Sequence, residues 1–221
     1  VIFFVAGIAA IMASIHKPVW YEPVSIPRTH IRSVRNSAIN QFNEFSRLLV
    51  AGEPFNFSLD APMVTAWMTE RDAIWPGAGH WIPPSMKDPV VAFEGGKIIL
   101  AARAERSGWQ AILSAEFTVN IQEHELVVRL DSVACGDLSL PARWTSRAVD
   151  RLASLSDQDV DTLPAVLAEA VEKLREQNAA EYLREGAIVE NEFEWKNGGR
   201  WFRIAAVHAE NGALTLQVVP L

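Results

Sequence analysis

The sequence predicts an α+β protein: an N-terminal transmembrane helix, then an antiparallel β-meander packed on long helices, then a C-terminal β-meander. Three observations predict it. The chain opens on "VIFFVAGIAAIMASI", with no charged side chain before Lys17. Its middle alternates apolar and polar residues through strand-length stretches joined by Gly95–Gly96 and Ser107–Gly108, pairs that make hairpin turns. Around that middle, apolar residues recur at three- and four-residue steps, the period of a helix.

The opening run reads as a membrane anchor over residues 1–17. Val1–Ile15 is short of the roughly 20 residues a spanning helix needs, but the first residue is not Met, so the run is expected to begin earlier. His16, Lys17, Pro18, Trp20 and Tyr21 supply the cation, helix breaker and amphipathic aromatics that settle among lipid headgroups. Gly7, Ala9, Ala10 and Ala13 are small enough to let a neighbouring membrane helix approach. A cleaved signal peptide and a buried core helix are the alternatives; "AIMAS" offers only a weak cleavage pattern, and all-round apolarity argues against a core helix. A single anchor ahead of a long domain places that domain on the extracytoplasmic side of the cytoplasmic membrane.

Residues 18–27, with prolines at 18, 23 and 27, read as a stalk, and residues 28–186 as an α+β envelope domain. Ile31, Val34, Ala38, Phe42, Phe45 and Leu49 form the apolar stripe of a helix that ends near Gly52 and Pro54. "FNFSLD" is a short strand whose Asp60 can cap the helix "APMVTAWMTERDAI". "WPGAGHWIPPSM" is a loop. The strand "WQAILSAEFTVNIQ" alternates without a break, and "ELVVRLDSVACGDLSL" pairs with it. Two helices, "PARWTSRAVDRLASL" and "LPAVLAEAVEKLREQNAAEYLREG", are expected to cover the sheet's apolar face. Residues 187–221 form a closing meander with turns at Asn197–Gly199 and Asn211–Gly212, extending the same sheet.

Composition narrows the function. A net charge of −7 argues against nucleic acid, whose phosphates need a basic surface. The five histidines are scattered and the one cysteine, Cys135, has no partner at ligand spacing, so neither a metal site nor any cofactor is expected. Glu70 and Asp72, two apart on one helix, do not face each other as paired carboxylates would. "EGGK" and "NGGR" read as hairpin turns, not phosphate loops. No catalytic residue is assigned, and an enzyme is not expected. Eight Trp residues suggest a body that meets a membrane or a partner, with Trp20, Trp144, Trp195 and Trp201 as interface candidates.

Read in order, "FNFSLDAPMVTAWM", "PPSMKDPVVAFEGGKIILAARA" and "VVRLDSVACGDLSLP" resemble the YpmS-like group of single-anchor bacterial envelope proteins. The resemblance runs from Phe55 to Leu155; Ser58–Ala61 departs from the threonine-rich helix start of that group, and the strands from Ala187 fall outside it. It implies a membrane-tethered extracytoplasmic domain and no catalytic residue. Two functions follow from these observations. One is a non-catalytic accessory or scaffold subunit of a membrane complex, whose partners are the bilayer and other integral membrane proteins. The other is a protein that binds lipid or another hydrophobic ligand around Trp67, Met68, Trp75, Trp81 and Ile82.

Overall fold

A computed structural model describes residues 13–14, 16–74, 86–106, 109–122, 124–141, 183–195 and 199–221. A 3-10 turn, Arg28–His30, leads into helix α1, Ile31–Ala51. Gly52 ends α1 with φ 71°, and its N–H donates to the Leu48 and Leu49 carbonyls at 3.4 and 3.2 Å. A side chain at Gly52 would also collide with the Arg200 guanidinium, which donates to the Ala51 carbonyl.

Strand β1, Phe55–Asp60, runs directly into helix α2, Ala61–Thr69, and a further turn, α3, covers Arg71–Ile74. Asp60 makes no side-chain cap. The Ala61 N–H is taken instead by the Gly212 carbonyl at 2.8 Å, so a distant turn starts the helix. Then follow β2 (Met86–Glu94), β3 (Lys97–Arg106), β4 (Trp109–Gln122), β5 (Glu125–Cys135) and β6 (Leu138–Ser139). The chain closes with β7 (Ala187–Glu190), β8 (Glu192–Trp195), β9 (Arg200–Glu210) and β10 (Ala213–Pro220).

These strands form two antiparallel sheets. One has six strands, β2-β3-β4-β5-β6 with β7 also on β5; the other has four, in the order β1-β10-β9-β8. The pairing of β4 with β5 shows how sequence sets register. Leu130 and Val133 are three apart, so strict alternation would put them on opposite faces. A bulge leaves Asp131 unopposed between the pairs Glu116–Ser132 and Phe117–Leu130, and both apolar residues reach the same face.

Asn191 joins the sheets as the single residue between β7 and β8. It is 1% exposed, and its amide mimics a strand peptide: Nδ2 donates to the Ile204 carbonyl at 2.9 Å and Oδ1 accepts from the Ile204 N–H at 3.0 Å. Its own N–H donates to the His124 carbonyl. At the other end the hairpin tips meet, the Gly96 N–H donating to Ala209 and the Gly212 N–H to Phe93, each at 3.0 Å. Ala61, Val91, Phe93 and Ala209 are buried together beside this contact.

Three expectations are corrected. Strands make up 52% and helices 28% of the described residues, and the strands do not form one meander on long helices. Of the C-terminal strands only β7 extends the first sheet, on β5; β1 pairs with β10 and draws β8, β9 and β10 into a second sheet. The two long helices expected over 141–155 and 163–186 fall mostly in 142–182, outside the described residues; of the second, residues 183–185 are described and helical, ahead of Gly186. Second, no helix among the described residues is long and apolar enough to cross a membrane, which overturns the single-pass transmembrane reading and the placement at the cytoplasmic membrane. Of the expected anchor, residues 13–14 and 16–17 are described, and Ala13, Ser14 and His16 lie on the β5–β6 turn. The Asp137 N–H donates to the Ala13 carbonyl at 2.9 Å, and His16 pairs with the Asp137 carboxylate. Gly136 is glycine because a side chain there would strike the Ala13, Ser14 and His16 carbonyls.

Third, the expected stalk is part of the body. Tyr21 is 2% exposed and packs with Val90, Ala101 and Ile112 on the six-stranded sheet, flanked by Trp20. Its hydroxyl donates to the Asp88 carbonyl at 2.7 Å. Burial pushes that hydroxyl's pKa up to about 12, and the nearby Asp88 carboxylate adds to the rise.

Candidate functional site

Helix α1 lies across the four-stranded sheet, and its two halves meet that sheet differently. Toward its C-terminus, Leu49 is buried against Phe202 and Val218, and Phe45 packs its ring on Phe55 and Phe57 at centroid distances of 5.8 and 4.8 Å. Toward its N-terminus an apolar groove of about 430 Å³ opens. Its floor is Phe57 and Leu59 of β1 with Leu216 of β10. One wall is Ala38, Ile39, Gln41, Phe42 and Phe45 of α1; the other is Trp67 of α2 and Ile74 of α3.

The spacing of α1 explains the opening. Ala38 and Phe42 continue the stripe that buries Leu49, but Ala38 is too small to fill the space below it. Phe42 and Ile39 are left 62% and 44% exposed. Exposing two large apolar side chains beside a concave apolar surface is unfavourable unless something covers them. The groove's polar groups are few. Gln41 Nε2 is already committed, donating to the Ser58 carbonyl at 3.0 Å and tying α1 to β1. Trp67 is 9% exposed, and its indole N–H has no acceptor among the described residues.

Of the residues singled out from sequence, Trp67 lines this groove. Met68 turns away and packs on the cluster of Ala61, Val91, Phe93 and Ala209. Trp75, Trp81 and Ile82 lie outside the described residues, as do Gly7, Ala9 and Ala10; Ala13 offers its carbonyl to Asp137. Trp144 also lies outside them. Sequence reasoning did not assign Ile39, Phe42, Phe45, Phe57 or Leu216 to a site. The available signal was Ile39, which adds a second apolar column beside the stripe of α1.

Other chemistry-bearing groups are engaged structurally. Cys135 is buried with Sγ 3.6 Å from the Ser14 carbonyl, and burial raises its thiol pKa, the reverse of what an attacking thiolate needs. His124 Nδ1 meets the Glu192 carboxylate at 2.6 Å, beside the Asn191 crossing. Among the described residues no group of three or more His, Cys, Asp or Glu side chains converges as a metal site.

No protein-family model, curated protein or solved structure matches the chain. The resemblance of Phe55–Leu155 to YpmS-like proteins therefore rests on its residues alone.

Proposed function

We propose that this protein is a non-catalytic binding protein whose groove takes the aliphatic part of an apolar ligand. The observation that supports this most directly is the about 430 Å³ space between α1 and the β1–β10 floor. It falls in the range of small-molecule sites, roughly 300–1,000 Å³, and shares their mostly apolar lining. An alkyl chain laid between Phe42, Phe57 and Leu216 would cover apolar surface now facing water, worth about 25 cal/mol per Å² removed.

Titration of the full chain with methyl laurate, followed by native mass spectrometry, tests the reading. One ligand per chain is expected, and Phe42→Asp should abolish it while the thermal midpoint stays unchanged. Absence of a saturable complex, or full binding by the Phe42→Asp variant, overturns it.

Contact with a protein partner, the accessory-subunit reading, is favoured by a different observation. Trp201 is 47% exposed and Leu221 is 58% exposed, and they are neighbours, the Leu221 N–H donating to the Trp201 carbonyl at 2.9 Å. Trp is enriched among residues that dominate binding energy at interfaces. Cross-linking from a cysteine introduced at Trp201, in cells that make the protein, would capture such a partner; no adduct would remove this second reading.

A further inference from the structure

The chain contains two Asn–Gly pairs, and one of them, Asn211–Gly212, is the two-residue turn between β9 and β10. Both residues are exposed and both have positive φ, 52° and 78°, the type I′ geometry that Asn–Gly favours. The same pair is chemically labile, because glycine puts no side chain in the way when its nitrogen approaches the preceding amide. The other pair, Asn197–Gly198, lies outside the described residues.

What sets Asn211 apart is how its neighbour is tied into the fold. The Gly212 N–H donates to the Phe93 carbonyl at 3.0 Å, and the Gly212 carbonyl accepts from the Ala61 N–H at 2.8 Å. The first bond joins the β9–β10 hairpin to β2 of the six-stranded sheet, and the second starts α2. Two acids, Glu94 and Glu210, line one cleft with Asn211 and Gly212.

We propose that Asn211 is a site of spontaneous deamidation, kept intact by the tip-to-tip contact and lost when that contact opens. The Gly212 nitrogen attacks Asn211 Cγ. The new C–N bond closes a five-membered succinimide, the Cγ–Nδ2 bond breaks, and the Gly212 proton leaves with Nδ2 as ammonia. Water then opens the ring. Cleavage at Cγ gives aspartate, and cleavage at the main-chain carbonyl gives isoaspartate, whose backbone runs through Cβ and Cγ. No electrons are transferred, and water is the co-reactant.

The closed fold opposes the first step. The attacking nitrogen must give up the proton it shares with the Phe93 carbonyl and move toward Cγ, which breaks that bond. Reaction therefore proceeds from the opened tip, and the population of that state sets the rate. The products oppose reclosing. Each adds a carboxylate beside Glu94 and Glu210, and isoaspartate also lengthens the turn by one backbone carbon, so Gly212 cannot meet Phe93 and Ala61 together. A transient separation of the sheets at this end becomes permanent.

The test incubates the full chain in mildly alkaline buffer, folded and in guanidinium, and follows the peptide that carries Asn211 by mass and by chromatographic separation of aspartate from isoaspartate. Trypsin cleaves after Arg203, so Asn197 is scored in a different peptide. Conversion at Asn211 should be at least about tenfold slower in the folded chain, the suppression that an opening free energy of about 1.4 kcal/mol produces. Equal rates in the two states overturn the proposal, as does an unfolded chain in which Asn211 stays intact. In the folded isoaspartate form, separated by ion exchange, the Gly96 amide that bonds Ala209 should exchange its hydrogen at least about tenfold faster than in the unmodified chain. Unchanged exchange overturns the permanence of the opening. The wild-type rate comparison decides even if the isoaspartate form does not stay folded.

Discussion

The two halves of α1 share a helix and a sheet yet end in opposite states. Its C-terminal half closes a core in which Leu49, Phe202 and Val218 are 1%, 0% and 1% exposed. Its N-terminal half leaves Ile39 and Phe42 half-open above a hollow. Both halves offer apolar residues at helical spacing, so hydrophobicity does not separate them. Fill does. Phe45, Phe55 and Phe57 pack ring against ring at one end, whereas Ala38 contributes only a methyl group at the other. An apolar stripe identifies what a helix presents, and the volume of the facing residues decides whether a core or a groove results.

This contrast can be broken most forcefully at its closed end. Phe202→Ala should cost about 3–5 kcal/mol in denaturant unfolding, because a buried ring is deleted and its neighbours cannot fully collapse. A cost below about 1 kcal/mol would show that this half is also loosely filled.

The next effect belongs to the other sheet and serves as a reference buried site. Tyr21 has a folded-state pKa of about 12, raised first by burial. A raised value means that the stability it reports is present below the unfolded tyrosine value of about 10 and is lost as pH rises toward the folded one. Unfolding titrations should show up to about 2–3 kcal/mol lost between pH about 10 and about 12, a loss that Tyr21→Phe removes. An unchanged alkaline slope in that variant would place the loss elsewhere.

Smaller and opposite in sign is Trp67→Phe. It keeps the ring against the groove and removes an unsatisfied buried donor, so the ligand-free chain should gain up to about 1 kcal/mol by thermal unfolding. A loss of that size would mean the indole fills space that phenyl cannot. Smallest is Phe42→Ala, expected to change stability by no more than about 0.5 kcal/mol because the side chain is largely solvated. A much larger loss would make the N-terminal half of α1 part of the closed core.

Much of the local structure was legible in the sequence. The alternation of β4, the Gly95–Gly96 turn and the end of α1 at Gly52 are local events, decided by residues within a few positions of each other. The pairing of β1 with β10 was not. Ser58 and Thr215 share a hydroxyl–hydroxyl bond of 2.7 Å across 157 residues, and no local pattern encodes such a partner. Without that pairing there is no floor for the groove, so Phe57 and Leu216 could not be joined from sequence. Trp20 and Tyr21 misled for another reason: amphipathic aromatics suit a membrane surface and a buried, hydrogen-bonded core equally well, and the Asp88 carbonyl that receives the Tyr21 hydroxyl is 67 residues away.

The Asn191 crossing has a consequence for motion. Two sheets joined by a long tether would tumble separately and could open about one hinge. Here one buried residue bonded to both Ile204 and His124 removes the slack at one end, and the tip-to-tip bonds of Gly96 and Gly212 hold the other. With two attachments at separated points, neither sheet can rotate without breaking backbone hydrogen bonds, so the pair should diffuse as one rotor with a single correlation time.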